Sequence, residues 1–128
     1  MQGACLCRAV TFSLALPTKW VAHCHCTMCQ RAHGAAFVTW AGFATEALRL
    51  ADGAEPLLQW HRSSPEAERG FCKQCGSSLF FRSEKWPGEV HVARANLEGE
   101  LDRMPQAHVF YDTHVPWFEV KDGLPRKP

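Results

Sequence analysis

Several things are missing from this chain of 128 residues, and each absence excludes something. No apolar run is long enough to cross a bilayer, so no helical membrane span is expected. No run of Lys or Arg stands out. Fourteen basic and 13 acidic residues are mixed along the chain, and a formal charge of +1 offers no electrostatic footprint for nucleic acid. The opening residues Met1-Gln2-Gly3-Ala4-Cys5 are neither basic nor continuously apolar, so no secretory leader is expected and a cytoplasmic location is the default. There is no internal repeat and no linker-like stretch, which predicts one domain over residues 1–128. Convincing helix is scarce, and no cysteine follows Cys75.

What the chain does have is seven cysteines, within a composition that is 46% hydrophobic and so able to pack a core. In a reducing compartment thiols point to metal binding or catalysis before disulfides, and an odd count fits a full disulfide framework poorly. Three of them fall within the six residues Cys24-His25-Cys26-Thr27-Met28-Cys29. Thiolates that close repel one another unless a cation neutralises them, and Zn²⁺ suits soft sulfur ligands. Three ligands leave one coordination position open, which is where chemistry or ligand binding happens. Cys72-Lys73-Gln74-Cys75-Gly76 reads as a zinc knuckle, with a glycine that can take the left-handed turn bringing N–H groups to the sulfurs. Cys5-Leu6-Cys7 is the third cluster. Spacing permits two partitions. Cys26 and Cys29 can join Cys72 and Cys75 in one four-thiolate site, leaving Cys5, Cys7 and Cys24 over. Alternatively Cys5, Cys7, Cys72 and Cys75 close one site while Cys24, Cys26 and Cys29 form an open one. The second uses every thiol and keeps the triplet together.

The pattern between these clusters predicts an all-β chain of short antiparallel strands. Val10, Phe12, Leu14 and Leu16 alternate with smaller or polar residues, and Lys19–His23 reads as a second strand pairing with the first in a hairpin. About one helical turn is expected over Gln30–His33, stopped by Gly34. Ala35–Ala41, apolar on both faces, predicts a central strand. Phe43–Leu50 is ambiguous between helix and strand. Further strands are expected over Leu57–Arg62, Leu79–Arg82, Glu89–Val92 and His108–Tyr111, and Val115–Phe118 is expected to pack on something apolar.

Three motifs carry a resemblance: Gly3-x-Cys5-x-Cys7, Cys24-His25-Cys26-x-x-Cys29 and Phe71-Cys72-x-x-Cys75-Gly76. Together with Ala32-His33-Gly34-Ala35 and Asp122-Gly123-Leu124-Pro125, they resemble the glutathione-dependent formaldehyde-activating enzyme (GFA) family over nearly the whole chain. The resemblance implies a zinc-stabilised β-tent fold. It implies a structural zinc on Cys5, Cys7, Cys72 and Cys75, and a second, more labile zinc on Cys24, Cys26 and Cys29, where a thiol substrate binds. The family usually has glycine after the first cysteine pair, and here Arg8 stands in its place.

A metal held by three thiolates is a weak Lewis acid, poor at ionising water and suited to holding a thiol as thiolate. The expected activity is therefore that of a zinc-dependent carbon–sulfur lyase on thiol–aldehyde adducts of the S-hydroxymethyl glutathione kind. The expected partner is a small-molecule thiol or its adduct, with no nucleic acid and no membrane. The alternative is a non-catalytic zinc-stabilised β domain that binds a thiol or a protein. A methionine sulfoxide reductase is disfavoured, because that chemistry needs a nucleophilic cysteine beyond the knuckles. His33, four residues after Cys29, is a candidate general acid or base, with a plain turn cap as the alternative. His25 is expected at the surface, Arg31 in solvent or on a substrate carboxylate, and His108 on a strand or in a pocket wall. Met28, Phe37, Trp40, Trp60 and Phe81 are expected mainly as packing, with one or two of the aromatics at the rim of a cleft.

Overall fold

The structure is a computed structural model that describes all 128 residues. Eleven strands and one short helix build two sheets. The smaller sheet holds β1 (Gln2–Ala4), β2 (Thr11–Leu14), β5 (Leu48–Leu50) and β10 (Leu97–Glu98) in the order β10-β1-β2-β5. The larger holds β3 (Trp20–Cys24), β4 (Val38–Ala44), β6 (Leu58–Ser64), β7 (Ala67–Cys72), β8 (Ser78–Ser83), β9 (Glu89–Ala93) and β11 (His108–Val109) in the order β11-β3-β4-β9-β8-β7-β6. The helix α1 covers Thr27–His33. The mostly-β tent implied by the motifs is the architecture found. No helix is long and apolar enough to cross a membrane.

The core lies between the sheets. Alternation along β2 buries Phe12 and Leu14, and the ring of Phe12 meets Phe80 of the larger sheet edge-on at 4.8 Å. Phe43, Val21, Ala41, Val92 and Leu79 complete this layer. Gly3 is required by close approach, because a Cβ there would lie 2.4 Å from the Phe12 ring.

Several expectations are corrected. β2 and β3 are not a hairpin but lie in different sheets, because β1 and β5 occupy both edges of β2. The chain crosses between sheets at Thr18, whose N–H and hydroxyl donate to the Asp102 carboxylate at 3.1 and 2.8 Å. The central strand begins at Val38 rather than Ala35 and runs on to Ala44. The helix starts at Thr27, earlier than expected, and ends as expected at Gly34, which takes φ 61°. Phe43–Leu50 divides into the end of β4, a 3₁₀ turn and β5. β6 continues through Ser64 and returns as β7, a strand the sequence pattern did not reveal. One pair is parallel: β11 beside β3, reached by a long crossing from β10. Val115 is buried, but Trp117 is 70% exposed, so that stretch packs only in part.

Candidate functional site

The first and last cysteine pairs meet. One sulfur each from Cys5, Cys7, Cys72 and Cys75 lies within 4.8 Å of every other. Cys5 and Cys7 are 3.6 Å apart and Cys7 and Cys72 3.8 Å. Sulfurs about 2.3 Å from a common tetrahedral centre lie about 3.8 Å apart, so the group fits a Zn²⁺-sized ion. Polar donors face the sulfurs: Val10 N–H to Cys5 at 3.3 Å, Cys75 N–H to Cys72 at 3.5 Å, and the Gln74 amide to Cys7 at 3.3 Å. A hydrogen bond with the Ser77 hydroxyl, helped by the Cys7 backbone, lowers the Cys75 pKa to about 5. The loop between Cys7 and β2 turns at Arg8, whose φ of 63° is the left-handed conformation that favours glycine.

The triplet also converges. Cys24 ends β3, Cys26 caps α1 and Cys29 sits in the first turn of that helix, with their sulfurs within 4.8 Å of one another. The Cys26 sulfur accepts the Cys29 N–H at 3.2 Å, so the helix start and the convergence of the sulfurs are one feature. Cys29 lies 3.4 Å from Cys24 and accepts the Trp40 indole N–H at 3.5 Å. The Arg69 guanidinium stands 3.8 Å away from the Cys29 sulfur. Hydrogen bonds from Cys24 and Cys29 draw Cys26 far below the usual thiol range, and the Cys26 bond pushes Cys24 up. Two neighbouring sulfurs, an indole N–H and a nearby cation suit this group to holding negative charge.

The triplet opens into a cleft of about 530 Å³ on the face of the larger sheet opposite the main core. Register explains its walls. Arg69 pairs with Phe81, Phe81 with His91, His91 with Gly42 and Gly42 with Trp20, so one row crosses β7, β8, β9, β4 and β3. Paired residues share a face, so these side chains form one wall. Gly42 must be small, because a Cβ there would lie 2.4 Å from the Trp20 indole.

The profile of the family described as glutathione-dependent formaldehyde-activating enzyme matches residues 1–113. The chain belongs to this family.

A relative from Halomonas elongata that carries the GFA family's name is 27% identical over 135 residues, covering 94% of this chain and 81% of that protein. An uncharacterized lyase of Schizosaccharomyces pombe is 29% identical over 80 residues, 62% of this chain and 56% of that protein. The crystal structure of a Rhodobacter sphaeroides protein superimposes with a TM-score of 0.68 at 24% identity, each chain covered in full, and shares the fold. This GFA-family chain thus carries two cysteine groups, each able to hold a metal ion.

The other sequence candidates fall in several places. His33 does not line the cleft. It sits edge-on to Trp40, with ring centroids 5.2 Å apart, and faces a second pocket of about 260 Å³. Burial and the Arg69 charge lower its pKa to about 4. His25 is only 1% exposed, contrary to expectation, because the C-terminal segment covers it. Its Nε2 shares a 2.8 Å hydrogen bond with His108, whose other nitrogen lies 2.9 Å from Asp122. Arg31 is exposed. Trp60 stacks on Phe80 behind the cleft, and Phe37 packs on His23 and His25. Trp40 and Phe81 line the cleft, and so does Met28, which is 42% exposed rather than packed. Sequence reasoning missed Arg69, Trp20 and Trp86. No signal in the sequence pointed to Arg69, because Glu68 and Arg69 interrupt the apolar pattern ahead of Cys72.

Proposed function

We propose that the protein is a zinc-dependent carbon–sulfur lyase acting on adducts between a small thiol and an aldehyde. The observation that carries this reading is the open triplet of Cys24, Cys26 and Cys29 at the inner end of the cleft. A Zn²⁺ bound there would supply a position for substrate sulfur as thiolate. Cys5, Cys7, Cys72 and Cys75 would hold a second, structural Zn²⁺ with all four positions filled.

The chain's own residues set the conditions of the reaction. An adduct RS–CH₂–OH breaks its C–S bond as the hydroxyl oxygen forms a carbonyl. The hydroxyl proton passes to solvent water at the mouth of the cleft, and the sulfur leaves with the bonding electron pair as thiolate. Arg69 and the Trp40 N–H, both beside Cys29, stabilise negative charge at that end of the cleft. Trp20, Phe81 and Trp86 limit water around the reacting carbon. His33 remains a candidate for proton transfer only through movement or a relay, since it lies outside the cleft wall.

The test is the rate at which hemithioacetals of formaldehyde form and break down in the presence of protein loaded with two equivalents of zinc. The expected result is acceleration that Cys26→Ser abolishes while the fold is kept, whereas Cys72→Ser unfolds the chain. A rate unchanged across a panel of thiols and aldehydes overturns the proposal and leaves the non-catalytic domain.

A further inference from the structure

We infer that His23, His108 and Asp122 form a third metal site, for a divalent first-row ion held by two imidazoles and one carboxylate. The site shares no ligand with either cysteine group, and the inference does not depend on the lyase reading.

Strand pairing brings the two imidazoles together. β11 runs parallel to β3 with His108 opposite His23, so both side chains stand on one face, with ring centroids 4.8 Å apart. The chain beyond β11 then returns to place the Asp122 carboxylate 2.9 Å from His108 Nε2. One ligand atom from each of the three residues lies within 4.8 Å of the other two. Nitrogen and oxygen ligands about 2.1 Å from a common tetrahedral centre lie about 3.4 Å apart, so small side-chain adjustments close the group on an ion.

The outer nitrogens of both rings are already held. His23 Nδ1 lies 2.8 Å from the Thr39 hydroxyl, and His108 Nδ1 lies 2.8 Å from His25 Nε2. An imidazole that binds a metal through one nitrogen carries its proton on the other and needs an acceptor there. Thr39 Oγ1 and His25 Nε2 stand in the two acceptor positions. His25 is 1% exposed and its Nδ1 has no partner, so the polar contact of this buried ring goes to His108 alone. His23 Nε2 makes no hydrogen bond within the protein, which leaves its lone pair to an ion. Phe37 packs on His23 at 5.1 Å and on Phe118 at 5.9 Å, giving the group an apolar side. The Asp122 side chain is 40% exposed and gives an ion access from solvent.

An imidazole pair suits Zn²⁺, Ni²⁺ or Cu²⁺ over Mg²⁺ or Ca²⁺, and three protein ligands leave a position for water. Two neutral nitrogens and one carboxylate hold Zn²⁺ less firmly than a group of thiolates, so this ion leaves on dialysis against metal-free buffer while the thiolate-held ions stay. The three residues do not line the cleft. An ion on them would tie β3 to the C-terminal segment, which supplies Gln106, Ala107, Val109, Phe110 and Lys127 to the cleft wall. Its effect is on the stability of that wall.

The test loads the protein with two equivalents of zinc, dialyses it, and titrates it with Zn²⁺ alone in a calorimeter, with the thermal midpoint followed in parallel. The expected result is one further equivalent bound, with a midpoint that rises as it binds. Asp122→Asn and His23→Gln are each expected to abolish both effects while keeping the two thiolate-held ions, which shows that they fold. Should one variant fail to hold those two ions, the other decides. No third equivalent, or a third equivalent kept by a folded variant, overturns the inference.

Discussion

Two arginines show what single side chains contribute. Arg8 holds φ 63° where family members usually have glycine, and its guanidinium meets Glu98 at 2.8 Å on an exposed surface. An exposed ion pair contributes little, whereas a left-handed conformation costs a non-glycine residue about 1–2 kcal/mol. Arg8→Gly is therefore expected to stabilise the zinc-loaded protein by about 1 kcal/mol in denaturant unfolding, after allowing for the greater freedom of glycine in the unfolded chain. A lower midpoint would show that the ion pair matters more than the backbone. Arg69 lies beside the triplet, its guanidinium 3.8 Å from the Cys29 sulfur. Arg69→Gln removes the cation beside Cys29 and is expected to weaken the triplet's hold on metal about tenfold, the lower end of what outer-shell partners contribute. Competition with a chelator reads this, and unchanged affinity would assign Arg69 to packing on Phe81. At this scale the cysteines were legible because thiols at tight spacing have few other uses. Arg69 was not, because an arginine in a strand looks the same whether it faces solvent or sulfur.

At the scale of elements, periodicity placed most strands but not their neighbours. β7 was missed because Glu68 and Arg69 broke the apolar pattern, although Gly70 and Cys72 are buried on alternate positions. β1 is three residues long and exists through its ladders to β2 and β10, which no local pattern encodes. The helix start was misjudged because a sulfur caps it at Cys26, outside the usual set of capping side chains. The row from Arg69 to Trp20 spans five strands far apart in sequence, so the cleft wall is a property of register. Gly42→Ala tests that row. The added Cβ would collide with Trp20, whose ring must move, and β4 is flanked on both sides and has little room to yield. The expected loss is about 1–3 kcal/mol of stability, as in other overpacked sites, together with altered tryptophan fluorescence. No change in either would mean that Trp20 is free to rotate and is not a fixed wall.

At the scale of the molecule, the two cysteine groups sit differently in the fold. The quartet ties the loop before β2 to the knuckle after β7, so it joins the two sheets. The triplet joins only β3 to the helix that follows it and opens on the cleft. This partition was legible from the count and spacing of thiols together with the family's motifs. The parallel β11, the C-terminal cover over His25 and the aromatic cleft were not, because each depends on contacts between residues distant in the chain. The most direct measurement of the central claim is metal content per chain before and after a mild chelator, with the fold followed by circular dichroism. Two zinc ions, one removed readily with the fold intact and the other removed only with unfolding, is the predicted result. A single zinc per folded chain, or two lost together in one unfolding step, would contradict it.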